Sequence, residues 1–244
     1  MSIFARLVGR DGHRMIRSYV VDGIAYSDAG SDAEPCSRRI DRQRGPVPTA
    51  LTTRVPATVA TARFARRAAR WVYEGKRLDM QGLADELGVS RATLFRRAGC
   101  REDLLGQALW ILAERALEVA SVRWQAQRPP GALHTPGTVR HVNRLVASAR
   151  GFRRLLDDEP ALAIRILTDP RGRVQTGIVA CFEGLVRRDM AEFGYIPLME
   201  PNALAYALVR LSESFLYADV LANRQPDVAT ADRLQQALLE GIHR

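Results

Sequence analysis

Residues 80–98 read MQGLADELGVSRATLFRRA, and the prediction of the fold starts from this stretch. Two short helical patterns flank Gly88, a residue type that tolerates the positive φ of a tight turn. Ala84 is small enough for two helices to cross closely, and Ser90 offers a hydroxyl to cap the second helix. A shared apolar seam is supplied by Leu83, Leu87, Val89 and Leu94. The pattern predicts a helix-turn-helix.

The second helix of this motif leaves several side chains outside the seam. They are Arg91, Ala92, Thr93, Phe95, Arg96 and Arg97. A helix with its amino end in the major groove reads base edges with side chains of this kind. The alternative is a plain helical hairpin whose basic face is only solvated.

Helical patterns continue on both sides of the motif. Apolar residues recur every three or four positions from about Thr58 to Tyr73, which predicts a preceding helix. Its predicted apolar face consists of Val59, Ala62, Ala65, Ala69, Val72 and Tyr73. Asp79 can cap the first motif helix. A fourth helix is expected from Arg101 to about Trp124. Further helices are expected at about 136–150, 161–168, 171–193 and 201–222, with a last one capped by Thr230 and ending near His243. The expected fold class is therefore all-α.

The first fifty residues differ in composition from the rest. Gly, Pro, Ser, Asp and Arg dominate from Ser27 to Pro48, so residues 1–50 read as disordered, or as lying upstream of the true start. The apolar patch Tyr19 to Tyr26 suggests a turn or a strand. A functional alternative is a flexible basic arm, with Arg54 entering a minor groove. The arginines that would lie along phosphates are Arg38, Arg39, Arg42 and Arg44.

The net charge and the composition narrow the classes of function that this chain can have. The 244 residues carry a net charge of +9, and Lys76 is the sole lysine. The excess is densest in residues 51–105, which hold eleven basic against six acidic residues, although a GC-rich genome would also raise the arginine content. No apolar run approaches the ~20 residues of a membrane span, and no signal peptide is evident, so we expect a cytoplasmic protein.

Candidate catalytic and metal-binding groups are sparse. The three cysteines form no Cys-x-x-Cys pair, which argues against zinc and disulfides. The dense carboxylate cluster Asp157 to Glu159 precedes Pro160, where acidic residues favour a helix start. His134 and His141 are seven residues apart, and no phosphate-cradling loop is present. We therefore expect no enzyme activity, no cofactor and no metal. An interaction protein whose helix-turn-helix does not read DNA remains an alternative.

The stretches at 88–97 and 100–105 resemble the TetR family of bacterial transcription regulators. The resemblance covers about residues 55–110. It implies a three-helix DNA-binding domain at 51–105 and a larger helical ligand-binding and dimerisation domain at 106–244. It also implies a homodimeric, ligand-responsive regulator, in most cases a repressor, on a palindromic double-stranded operator.

The resemblance assigns roles residue by residue. Arg91 and Thr93 match positions that touch bases or nearby phosphate, and Arg101 matches a lysine that meets the DNA backbone. Phe95 replaces a tyrosine and lacks its hydroxyl, so stacking or contact with a thymine methyl is expected instead. Ala98 replaces a larger phenylalanine under the motif, which puts tight packing there in doubt. The expected DNA-binding set is Arg54, Ser90, Arg91, Thr93, Phe95, Arg96, Arg97 and Arg101.

The family's larger domain commonly pairs two long helices into a four-helix bundle between protomers. The candidates are 171–193 and 201–222, whose apolar stripes alternatively form an intramolecular core. The expected ligand-binding residues are Trp110, Trp124, His141, Phe152, Phe182 and Tyr206, with Asn143 as a further polar group. The stretches 95–97 and 218–227 also resemble a QsdR-like subgroup associated with lactone degradation. A small apolar effector, such as a lactone or fatty-acyl compound, is expected from that likeness.

Overall fold

The computed structural model describes residues 18–21, 24–27 and 59–240, with side chains from Thr61 onward. The chain divides into two compact units, residues 1–54 and 55–244. In the first unit, β1 (Ser18–Val21) pairs antiparallel with β2 (Ile24–Ser27). The patch expected to form a turn or strand is therefore a β-hairpin. Arg54 and the segment 28–48 lie outside the described residues, so the expectations for them stay predictions.

In its described part, the second unit consists of helices joined by loops, as the sequence predicted. Its helices are α1 (Val59–Tyr73), α2 (Met80–Leu87), α3 (Arg91–Ala98), α4 (Arg101–Gln127), α5 (His134–Ala147), α6 (Arg150–Asp158), α7 (Pro160–Thr168), α8 (Arg173–Phe193), α9 (Pro201–Leu216), α10 (Ala218–Ala222) and α11 (Val228–Glu240). Within the described residues, each helix is too short or too polar to cross a lipid bilayer.

Helices α1 to α3 form the three-helix unit, and its turn and caps follow the sequence prediction. The Asp79 carboxylate accepts the Gly82 N–H at 2.6 Å, so it caps α2. The Ser90 hydroxyl accepts the Thr93 N–H at 3.1 Å and caps α3. Gly88 ends α2 with φ of 66°, a left-handed conformation that favours glycine. The helix-turn-helix is therefore fixed by local chemistry.

The core of the three-helix unit differs in one respect from the prediction. Leu83 and Leu94 are fully buried, and Ala98, the smaller residue whose packing was in doubt, is 3% exposed. Tyr73 was expected on the apolar face of α1 but is 72% exposed. Val72 is buried as predicted, Phe64 is buried although it was not predicted, and position 73 lies about 100° around the helix from Val72.

The amino end of helix α5 is capped by a carboxylate that is distant in the chain. Asp189, fully buried on α8, accepts the backbone N–H of His134 at 2.6 Å and that of Thr135 at 2.9 Å. The Thr135 hydroxyl also donates to Asp189, at 2.6 Å. These bonds satisfy N–H groups that a helix leaves free at its amino end. Pro136 lies in the first turn of α5, as predicted, and the helix begins two residues before it.

Three boundaries depart from the prediction. Helix α6 was not predicted, and the expected single helix 201–222 is interrupted at Tyr217, between α9 and α10. Asp227, rather than Thr230, caps α11, since its carboxylate accepts the Thr230 N–H at 2.9 Å. Thr230 therefore lies inside the first turn.

The two apolar stripes expected to pair protomers are mostly buried within one chain. Phe182 and Val186 on α8, and Leu204 and Leu208 on α9, are each at most 1% exposed. The structure therefore favours the alternative, an intramolecular core, for these stripes. Any pairing of protomers through α8 and α9 must use their outer faces.

Candidate nucleic-acid interface

The outer face of α3 carries a cluster of arginines. Arg91, Arg96 and Arg97 are exposed, and none of them forms an ion pair with any residue in the described part of the chain. Three guanidinium groups are thus held on one short helix without a neutralising carboxylate. Such a surface attracts polyanions, because each guanidinium can donate two parallel hydrogen bonds to a phosphate or a guanine edge.

The inner side of α3 is anchored from two directions. Thr61 on α1 donates to the Arg97 carbonyl at 3.1 Å, and Gln107 on α4 donates to the Ala98 carbonyl at 3.3 Å. Both carbonyls lie in the last turn, where a helix leaves its acceptors free. With Leu94 buried beneath, α3 is a fixed rather than a fraying helix, and its arginines project from a defined position.

The remaining residues of the predicted set on α3 have distinct environments. Ser90 is engaged in the cap, and its hydroxyl also donates to the Thr93 hydroxyl at 2.9 Å. Thr93 is half-buried, and Phe95 is 60% exposed. An exposed phenylalanine beside unpaired arginines suits stacking or contact with a thymine methyl.

Arg101, at the start of α4, is engaged in an internal bridge. Its Nε donates to the Leu78 carbonyl at 2.6 Å, and its two terminal nitrogens donate to the Glu159 carboxylate at 2.8 and 2.5 Å. The side chain is 26% exposed. Three of its five N–H donors bind within the protein, and the expected contact of Arg101 with the DNA backbone stays a prediction.

Helix α1 also carries exposed basic residues, which were not predicted as part of the interface. Arg63 and Arg66 are exposed and form no ion pair with any described residue. Arg67 instead pairs with Glu86 of α2, whose other oxygen accepts from the Trp71 indole N–H at 2.6 Å. The spacing of three between Arg63 and Arg66 on the polar face of α1 was the available signal, since residues three apart share a helix face.

A cleft of about 420 Å³ lies beside α3, between the start of α2 and the start of α4. Its lining residues are Arg77, Leu78, Asp79, Met80, Arg91, Phe95, Cys100 and Arg101. The cleft is lined by both basic and apolar residues, and it reaches the exposed side of α3 at Arg91 and Phe95.

The two tryptophans predicted to line a ligand pocket lie far apart. Both are on α4, fourteen residues apart, which corresponds to about 21 Å along the axis. The Trp110 ring packs on Gly177, where an added Cβ would lie 2.2 Å from it. The Trp124 ring packs in the same way on Gly137, and its N–H donates to the Leu133 carbonyl at 3.0 Å. They do not meet in one compact site.

The other residues predicted to bind the ligand do not gather at one site either. Phe152 pairs with Tyr217, with ring centroids 5.9 Å apart. His141 lies beside Trp124 with its ring 6.3 Å away, and burial together with neighbouring arginines lowers its pKa. Phe182 is a core residue, whereas Tyr206 is 50% exposed on the outer side of α9. The predicted role of Tyr206 in ligand binding stays a prediction.

Asn143 and Glu213 are among the buried polar residues of the larger helical block. Asn143 is buried and donates to Gln235 at 2.8 Å, so its amide joins α5 to α11. Glu213 was not singled out from the sequence. It is buried, bonds to Arg210 at 2.5 Å, and has its pKa raised to about 7 by burial. Within the described residues, no group of three or more His, Cys, Asp or Glu side chains is arranged to hold a metal ion.

Comparison with known proteins places this architecture. Residues 130–240 match the family profile described as the tetracyclin repressor-like C-terminal domain. No curated protein matches the chain by sequence. Among solved structures, the transcriptional repressor QsdR of the TetR family from R. erythropolis is 28% identical. It aligns over 75% of this chain and 96% of its own, with a TM-score of 0.66.

A second solved structure is the TetR family regulator PfmR from Thermus thermophilus. It is 18% identical and aligns over 74% of this chain and 98% of its own, with a TM-score of 0.37, an overlap too loose to carry weight. The capped helix-turn-helix, the larger helical block, the C-terminal profile and the fit to QsdR agree. Residues 130–240 are therefore a TetR-type C-terminal domain, and the chain has a TetR-like fold similar to that of QsdR.

Proposed function

We propose that this chain works as a homodimer that binds a palindromic operator, represses transcription there and is released by a small apolar inducer. The observation that carries the proposal is the outer face of α3, where Arg91, Arg96 and Arg97 stand exposed without an acidic partner among the described residues. The similar QsdR structure is that of a transcriptional repressor. We extend that role to this chain.

Recognition by one short helix favours a dimer. A single recognition helix covers few base pairs, and a two-fold dimer supplies a second contact about one DNA turn away. The stripes on the inner sides of α8 and α9 are buried in the monomer, so we assign pairing to their outer faces. The small exposed residues Ala180 and Ala203 allow close approach there, and the half-exposed Tyr206 lies on the same side of α9 as Ala203.

Release by an inducer would be a shift between two populations. A ligand that binds one arrangement of the larger domain more tightly moves the equilibrium toward it, by no more than the difference in its affinities. The apolar interior around Trp110 and Phe182 favours an apolar compound. A lactone or fatty-acyl compound as the inducer rests on the sequence resemblance alone.

The proposal is tested by salt-dependent DNA binding with matched variants. Duplexes are first selected from a random-sequence library with the purified chain, and affinity is then measured across salt concentrations. Arg91→Ala should reduce the slope of log affinity against log salt by about one, because one phosphate contact is lost. Arg115→Ala is the control. It removes the same charge from an exposed site on α4, where Arg115 pairs with Glu118.

Sequence preference gives an independent readout on the same helix. Thr93→Ala should change the ranking of selected duplexes more than it changes overall affinity, because position 93 lies at the amino end of α3. The proposal fails if the chain selects no duplex, as an interaction protein without DNA-reading activity would behave. Equal effects of Arg91→Ala and Arg115→Ala would contradict the placement of the interface on α3.

A further inference from the structure

Glu159 lies at the corner between α6 and α7 and gathers two arginines of the DNA-binding region. Its carboxylate accepts both terminal nitrogens of Arg101, at the start of α4, and lies 3.3 Å from Nε of Arg77, in the loop between α1 and α2. The Glu159 side chain is 14% exposed. The hydrogen bond from Arg101 holds the pKa of this carboxyl below its usual range, so the charge persists.

Arg101 consequently connects three segments of the chain. It is the first residue of α4, and its guanidinium bonds to the Leu78 carbonyl just before α2 and to Glu159 at the α6–α7 corner. A bidentate guanidinium–carboxylate pair fixes angle as well as distance, which an ordinary surface pair does not. The bridge thus fixes the entry of the helix-turn-helix relative to α6 and α7.

We infer that Glu159 is a positioning residue for DNA recognition, acting through Arg101 to hold the three-helix unit at the angle that specific binding requires. The inference rests on the proposed function. Two recognition helices of a dimer must meet successive major grooves together, so a small loss of orientation costs specific contacts on both half-sites. Non-specific binding needs only charge near phosphates and tolerates that loss.

Positioning and simple electrostatics predict effects of opposite sign on specific binding. Glu159→Gln removes a negative charge near the DNA-binding face. Electrostatics alone predicts tighter binding to every duplex. Positioning predicts instead that affinity for a selected duplex falls, while affinity for a scrambled duplex stays equal or rises.

A neighbouring carboxylate provides a matched control. Glu102, one residue after Arg101, pairs with Arg165 of α7 at 2.5 Å, but both of those side chains are about half exposed or more. Glu102→Gln removes the same charge from the same region and breaks a pair that also joins α4 to α7. An exposed pair of this kind contributes little to structure.

The experiment measures the specificity ratio, the dissociation constant for a scrambled duplex divided by that for the duplex selected by the wild-type chain. We expect Glu159→Gln to lower this ratio about tenfold and Glu102→Gln to change it less than about twofold. In an Arg101→Gln background, Glu159→Gln should add no further loss, because its action through Arg101 is already removed.

A second variant keeps the test decisive if Glu159→Gln folds poorly. Glu159→Asp retains the charge but is one methylene shorter, so it cannot hold both guanidinium nitrogens in the same geometry. It should lower the specificity ratio without changing non-specific affinity or its salt slope. The inference is overturned if both variants keep the wild-type ratio. If the wild-type chain itself selects no duplex, the proposed function has failed instead.

Discussion

Replacing Gly151 with alanine should destabilise the protein, because α6 is packed directly against the end of α1. A Cβ built at Gly151 would lie 2.1 Å from the Val72 carbonyl oxygen and 2.4 Å from that of Tyr73. Both obstacles are backbone atoms of the last turn of α1, so no side-chain rotation relieves the contact. The helices themselves must separate.

The size of the effect follows from that geometry. To reach an ordinary contact of 3.4 Å, the two helices must move apart by about 1.3 Å. Overpacking of this kind costs about 1–3 kcal/mol, against which alanine recovers less than about 1 kcal/mol of helix propensity. We expect a net loss of about 2 kcal/mol, which for a domain of this size lowers the melting temperature by about 4–8 °C.

Gly106 of α4 offers a control of the same chemical change. It is also helical, but the nearest atom to an added Cβ there is a methyl carbon of Ile166 at 3.5 Å, an ordinary contact. Gly106→Ala should therefore stabilise the chain by about 0.5–1 kcal/mol through helix propensity and reduced freedom of the unfolded chain. Both substitutions add one methyl group to a helical glycine, but they should change the free energy of unfolding in opposite directions.

Thermal unfolding followed by circular dichroism measures both changes. All proteins are compared at one concentration, since dimerisation makes the melting temperature concentration-dependent. Helix content well below the melting transition should stay unchanged for both variants. A Gly151→Ala variant that melts at or above the wild-type temperature would refute the close backbone packing of α6 on α1.

Two further outcomes are expected. Burial raises the pKa of Glu213 from 4.5 to about 7, so the unfolded chain loses that proton at lower pH than the folded chain does. The stability of the wild type relative to Glu213→Gln should fall by at most about 3 kcal/mol from about pH 4.5 to 7 and then level off; a pH-independent difference in urea midpoints would contradict this. Light scattering at micromolar concentration should give the mass of a dimer, and a 27.1 kDa particle would exclude the proposed pairing.

The parts of the fold that were predictable from sequence are those fixed by neighbouring residues. Asp79 and Ser90 cap helices that begin at the next residue, and Gly88 supplies the left-handed turn between them. Caps and turns depend on bonds within three or four residues, so residue type and spacing specify them. The exposure of the arginines on α3 was also predictable, because the apolar residues around Leu94 occupy the buried side of the helix and leave the opposite side to solvent.

The features that escaped prediction depend on partners distant in the chain. Asp189 caps α5 from 54 and 55 residues away, and Glu159 binds Arg101 across 58 residues. Nothing near His134 or Arg101 marks these bonds in sequence. Helix α6 did leave a signal, since Phe152, Leu155 and Leu156 recur at helical spacing, but the glycine and the acidic pair at its ends obscured it.

The placement of α6 shows why these distant contacts matter for DNA recognition. At its amino end Gly151 meets the backbone of α1, and just past its carboxyl end Glu159 holds Arg101. On its other side, Arg153 donates to the Leu216 carbonyl at 3.1 Å, at the end of α9. A nine-residue helix fastened at both ends to the DNA-binding region cannot shift without carrying that region along. A ligand that moves the end of α9 would therefore change the orientation of α3 through the contacts of α6. Weakening the contact of Gly151 with α1, or that of Glu159 with Arg101, should reduce this coupling while leaving α3 itself unchanged.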